Sequence, residues 1–208
     1  MKRASPRRCY RRPMIHVTAL DPARAPTIVM FIRHGEKPSD HGAPRGINDD
    51  GEHDNHSLSV RGWMRAGALA GLMAHAPLPS HPEVYPPKRI VATKPSQTSK
   101  SRRELDTADP IARRLQIVVD SDLEHGNEAE VRENILSDSR ATLVVWHHGT
   151  MGHLVRGFPI TNPDDVPDHW PDDRFDLIWV LTRDPGDSEF TFTSVDQRLL
   201  DGDVDPST

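Results

Sequence analysis

The sequence predicts an α/β domain built as a three-layer sandwich, with a mainly parallel sheet and an antiparallel edge strand. Three observations carry this. Residues 27–32 (Thr-Ile-Val-Met-Phe-Ile) and 141–146 (Ala-Thr-Leu-Val-Val-Trp) are apolar or β-branched without alternation, as strands covered on both faces must be. Segments of helical periodicity stand between such runs, the order expected of parallel strands joined by helical crossovers. Near the end, residues 175–182 and 189–195 alternate instead, and the turn Asp184-Pro-Gly-Asp joins them as an antiparallel pair.

The elements follow in order. After the first strand, residues 37–57 form a polar loop rich in Gly, Asp, Asn and His, longer than a plain connection and suited to a lid or specificity loop. Residues 58–73 are the clearest helix, with Ser59 as N-cap and Trp63, Ala66, Leu69, Ala70, Leu72 and Met73 as its buried stripe. Gly62, Gly67 and Gly71 lower its propensity and point to close packing on the sheet, while Arg61 and Arg65 are expected on the solvated face. Prolines 77, 79, 82, 86 and 87 stiffen the next connection, and residues 89–93 give a second strand. A helix containing residues 103–108 should be interrupted or restarted by Pro110. Residues 117–119 read as a third strand, 128–136 as a helix, and a further helix runs through Leu154 and Val155. The Pro- and Asp-rich loop 162–173 is placed to form the opposite wall of a pocket.

The 208 residues suffice for one such domain and are too few for two ordinary ones. The expected organisation is a basic, disordered extension over residues 1–25, the body over 26–199, and an acidic, frayed tail over 200–208. Lys2, Arg3, Arg7, Arg8, Arg11 and Arg12 lie in the first of these, but the body is not basic and the net charge is −5, which argues against a nucleic-acid partner. No apolar run approaches spanning length, so no membrane partner is expected. The lone Cys9 cannot form an internal disulfide, compatible with a reducing, cytoplasmic location.

Chemistry concentrates where strands end. The first strand stops at Arg33-His34-Gly35-Glu36, and the run over 141–146 stops at His147-His148-Gly149. In an open α/β sheet, ligands bind beyond the carboxyl ends of the strands. An imidazole can attack phosphorus and leave again, splitting an ester hydrolysis into two displacements. Its other nitrogen then needs an acceptor, expected to be a main-chain carbonyl near Gly35. Arginines grip phosphoryl oxygens bidentately, and nearby cations lower the proton affinity of the nucleophile. His53 and His56, flanking Asp54, offer a weak metal-ligand pattern, and no metal is assigned to it.

These residues resemble the histidine phosphatase superfamily, which includes phosphoglycerate mutases and histidine acid phosphatases. The resemblance covers roughly residues 28–181. It rests on Arg33-His34-Gly35-Glu36-Lys37-Pro38, similar to an Arg-His-Gly-Glu-Lys-Pro variant of the family signature, and on Leu58-Ser59-x-x-Gly62-x-x-Arg65-Ala66. Ser101-x-Arg103-x-x-x-Thr107-Ala108 and Val144-Val145-Trp146-His147-His148-Gly149 complete it. The Trp-Asn continuation and the Glu-Arg-His-Tyr-Gly segment of the mutases are missing, which favours a phosphatase over a mutase.

The resemblance implies a phosphoglycerate mutase-like fold and metal-independent, cofactor-free hydrolysis of phosphate monoesters through a phosphohistidine on His34. The substrate would be a small phosphate ester or a phosphoprotein. Arg33, Arg103, Gly35 and Glu36 would bind it, with Arg102 an alternative to Arg103. His148, or alternatively His147, would be the second pocket histidine, a further donor when protonated. Glu124 would protonate the leaving oxygen, with Asp122 and Glu128 as alternatives. A non-catalytic phospho-ligand or protein-binding module on the same fold, and a metal-dependent hydrolase using His53 and His56, are the competing readings.

Overall fold

A computed structural model describes residues 17, 18, 20–97 and 99–203. The basic residues 2–12, Cys9 and the last five residues lie outside the described residues.

The chain runs β1 (Ile28–Ile32), α1 (Val60–His75), β2 (Arg89–Ala92), α2 (Arg103–Leu115), β3 (Val119–Asp120), α3 (Glu128–Leu136), β4 (Thr142–Val145), α4 (His148–Arg156), a 3-10 turn (Pro163–Asp165), β5 (Leu177–Thr182) and β6 (Thr191–Asp196). The sheet order is β3-β2-β4-β1-β5-β6. The first four in that order are mutually parallel, whereas β5 runs antiparallel to both β1 and β6. That is the mainly parallel sheet with an antiparallel edge.

Alternation along the strands sorts their side chains into two cores. Val29, Phe31 and Val144 join Val131 and Ile135 of α3 and Leu154 and Val155 of α4 on one face. Met30, Ile32, Leu143 and Val145 join Leu69 and Met73 of α1 and Ile111 and Ala112 of α2 on the other. Central strands buried on both faces can be apolar throughout, which is why β1 reads as an unbroken run.

Ser59 caps α1 as expected, its hydroxyl accepting from the Gly62 amide at 3.2 Å. Four details of the expectation need correction. α2 runs unbroken through Pro110, because Ala108, Ile111 and Ala112 are buried around it and packing outweighs the lost hydrogen bond. The third strand shrinks to two residues. Gln116 takes φ +57° and ends α2, and the Ile117 amide is spent on the Ala112 carbonyl in a helix-ending loop. Of the three α1 glycines only Gly62 is closely packed; a Cβ at Gly67 or Gly71 would meet nothing within 4 Å.

The fourth correction concerns Arg65, which is buried rather than solvated. Its guanidinium joins Glu36 (2.8 Å), Asp203 (2.6 Å) and Gln197 (2.9 Å). The described residues beyond both expected borders of the body pack on it. Asp203 is held by Arg65, the Thr18 amide donates to the Gly157 carbonyl, and Arg183 donates to the carbonyls of Pro22 and Ala25.

Candidate active site

β1 and β4 are parallel neighbours, so their carboxyl ends lie side by side and deliver Arg33-His34-Gly35 and His147-His148 to one place. Gly35 is required there by a close approach: a Cβ would lie 2.7 Å from the Gly62 carbonyl oxygen at the start of α1. The Gly35 amide donates to Thr107 Oγ1 at 2.8 Å, and that hydroxyl donates to the Arg103 carbonyl at 2.7 Å. A fully buried threonine therefore ties the turn after β1 to the first turn of α2. Sequence spacing marked Thr107 only as part of a motif.

His34 is 3% exposed. Its Nδ1 lies 2.6 Å from the Gly35 carbonyl oxygen. A carbonyl only accepts, so Nδ1 carries the proton and the lone pair resides on Nε2. Burial pushes the His34 pKa well below its ordinary value, and Arg33, Arg103 and His148 push it further; the Gly35 carbonyl opposes them. The imidazole is accordingly neutral at physiological pH.

Arg33 is buried beside it, with its guanidinium 4.0 Å from the centroid of Phe175. Burial lowers its pKa to about 10, with Asp172, Glu104 and Glu36 opposing, so it stays charged. Nη1 donates to the carbonyls of Asp172 (2.7 Å) and Pro171 (3.4 Å), which makes the loop 162–173 a wall of the site. Arg33 Nε is buried with no partner among the described residues. Arg103 is half-buried, its Nη2 donating to the Asn55 carbonyl at 2.7 Å and its Nε to that of Ser57 at 3.3 Å. Arg102 instead is exposed and pairs with Asp106.

His148 presents its ring edge-on to His34 at 5.7 Å between centroids, and His147 stacks behind it at 5.0 Å. Strand alternation does not separate the two, because β4 ends at Val145 and His148 already begins α4. Burial lowers the His148 pKa to about 4, with Arg33 and His147 adding to it and Asp172 opposing. The His148 ring is therefore uncharged at neutral pH. Its Nδ1 and that of His147 are also buried and unpartnered.

The remaining expected residues are placed as follows. Glu36 turns away, its carboxylate taken by Arg61 and Arg65. Glu124 is half-buried on the loop before α3, whose His125 ring stacks on His147 at 4.9 Å. Asp122 is exposed. Burial would raise Glu128, but the Gly126 amide, the Thr150 hydroxyl and the Trp146 indole hold its pKa low, so it is an anchor and not an acid. In the loop 37–57, the Asp54 carboxylate accepts the His56 amide and the Ser57 hydroxyl. Among the described residues no group of three or more His, Cys, Asp or Glu is arranged to hold a metal ion.

Two neighbours carried no signal of their own in the sequence. Phe175 reads as a strand residue but packs on both Arg33 and, at 5.9 Å, His34. Glu104 is 2% exposed, with Oε2 accepting from Ser101 and Oε1 unpartnered. Burial raises its pKa, only partly offset by its own amide, Ser101 and the two arginines.

No family model matches the chain, and no curated protein sequence does. Two solved structures are similar in outline. One is a mycobacterial hydrolase, 16% identical, with a TM-score of 0.48 over 81% of this chain and 96% of its own. The other is the native mycobacterial glucosyl-3-phosphoglycerate phosphatase, 16% identical, with a TM-score of 0.47 over 82% of this chain and 97% of its own.

Proposed function

We propose that the chain is a phosphatase of the histidine phosphatase kind, hydrolysing phosphate monoesters through a phosphohistidine on His34 without a metal. One observation carries the reading: a buried, neutral imidazole whose tautomer is fixed by the Gly35 carbonyl at 2.6 Å, within the electrostatic reach of Arg33 and Arg103 and edge-on to a second histidine. That arrangement suits the attack of Nε2 on phosphorus. Arg33 and Arg103 supply the positive charge that a phosphoryl transition state spreads over its equatorial oxygens. A bound dianion favours protonation of His148, so the ligand itself recruits a third positive group. Small phosphate esters or phosphoproteins are the substrate class.

The test is hydrolysis of p-nitrophenyl phosphate by purified protein in excess EDTA. Wild type should turn over and His34→Ala should fall to the uncatalysed rate. Activity surviving in His34→Ala would remove the nucleophile assignment. Activity lost in EDTA and restored by a divalent ion would favour a metal-dependent hydrolase. Tight orthophosphate binding with no turnover of any ester would favour a phospho-ligand binding module.

A further inference from the structure

In-line displacement places the leaving oxygen opposite the attacking nitrogen. His34 lies at the buried floor of the site, so the ester oxygen must depart toward the mouth. A proton donor for it belongs at the mouth, on an element held in place relative to His34.

One carboxylate meets both conditions. Asp172 Oδ1 lies 3.9 Å from His148 Nε2, and its side chain is 96% exposed. Its main chain is fastened to the site, since its carbonyl accepts from Arg33 Nη1 at 2.7 Å. The turn around it is closed on itself: the Arg174 amide donates to the Pro171 carbonyl at 3.2 Å, and the Trp170 indole donates to the Arg174 carbonyl at 2.7 Å. Trp170 is buried against Trp179 of β5, which anchors the turn in the core. Three other acids near the site are engaged elsewhere: Glu36 by Arg61 and Arg65, Glu128 by Trp146 and Gly126, Asp176 by Arg174.

We infer that Asp172 is the general acid and base of the reaction. In the first step the Nε2 lone pair of His34 forms the N–P bond as the P–O bond to the alcohol breaks. The departing electron pair stays on the ester oxygen, which takes the proton of the Asp172 carboxyl. In the second, the Asp172 carboxylate takes a proton from water as the water oxygen bonds to phosphorus and the N–P pair returns to Nε2, releasing orthophosphate.

This inference rests on the phosphatase reading, and leaving-group dependence separates the two. Nitrophenolate departs without a proton, whereas an alkoxide does not. Kcat/KM is measured for p-nitrophenyl phosphate and an alkyl phosphate with wild type, Asp172→Asn and Glu124→Gln. The expected result is that Asp172→Asn loses on the order of 10²-fold or more on the alkyl ester, a far larger loss than on p-nitrophenyl phosphate. Glu124→Gln should lower both rates alike or neither. Equal losses on the two esters in Asp172→Asn would overturn the inference, as would a leaving-group-selective loss in Glu124→Gln. If wild type hydrolyses neither ester, the phosphatase reading fails and this assignment fails with it.

Discussion

Three glycines on one helix give the sharpest test of how the site is held. In Gly62→Ala the new Cβ would stand 2.5 Å from the Glu36 carbonyl oxygen and 2.9 Å from its amide nitrogen, both backbone atoms of the turn that carries His34. Overpacking of this kind costs ~1–3 kcal/mol, while replacing a helical glycine by alanine returns up to about 1 kcal/mol. The net expectation is a loss of ~1–2 kcal/mol. Gly67→Ala and Gly71→Ala meet nothing within 4 Å and gain the propensity term alone, ~0.5–1 kcal/mol each. Because the unfolded-state contribution is common to all three, the gap between Gly62→Ala and either control isolates the contact, at roughly 1–3 kcal/mol. Urea denaturation at constant m-value measures it. A Gly62→Ala variant that gains as much stability as the controls would refute the close approach of α1 to the turn after β1.

Two further outcomes follow from the charged groups. Arg65→Met strands the Glu36 and Asp203 carboxylates, the latter only 3% exposed, and should cost on the order of 3 kcal/mol in urea denaturation. Arg61 still reaches both acids, which keeps the loss at the low end of the range, and a loss below ~1 kcal/mol would contradict the network. The His148 pKa, depressed from 6.5 to about 4, makes the folded state the weaker proton binder. Its contribution to stability is therefore complete above pH 6.5, declines as pH falls toward 4, and levels off below, amounting to roughly 3 kcal/mol at most. His148→Gln should flatten that part of the stability–pH curve.

Much of this was legible in the residues. The unbroken apolar runs located β1 and β4, and their parallel pairing brings His34 and His148 together as the two strand ends suggest. α3 follows its expected bounds, whereas the expected stripe of α1 placed Trp63 inside and did not tell Gly62 from Gly67 and Gly71. The Gly35 acceptor for His34 was likewise expected from the tautomer that the chemistry needs. What the residues did not disclose depends on contacts far apart in the chain. Arg65 and Asp203 are 138 positions apart, and neither local charge pattern distinguishes a solvated arginine from a buried one. Gln116 gives no glycine signal for its left-handed turn, so the third strand was placed too early. Asp172 sits among several equivalent-looking acids of the loop 162–173, and its carbonyl contact with Arg33 and its carboxylate contact with His148 single it out.

The measurement closest to the central claim is the identity of the covalent intermediate. Protein mixed with a ³²P-labelled ester and quenched within the first turnovers should carry acid-labile, alkali-stable label, mapped by mass spectrometry to the peptide containing His34. Acid-stable label, or label on His147, His148 or a hydroxyl residue with His34 unmodified, would contradict it.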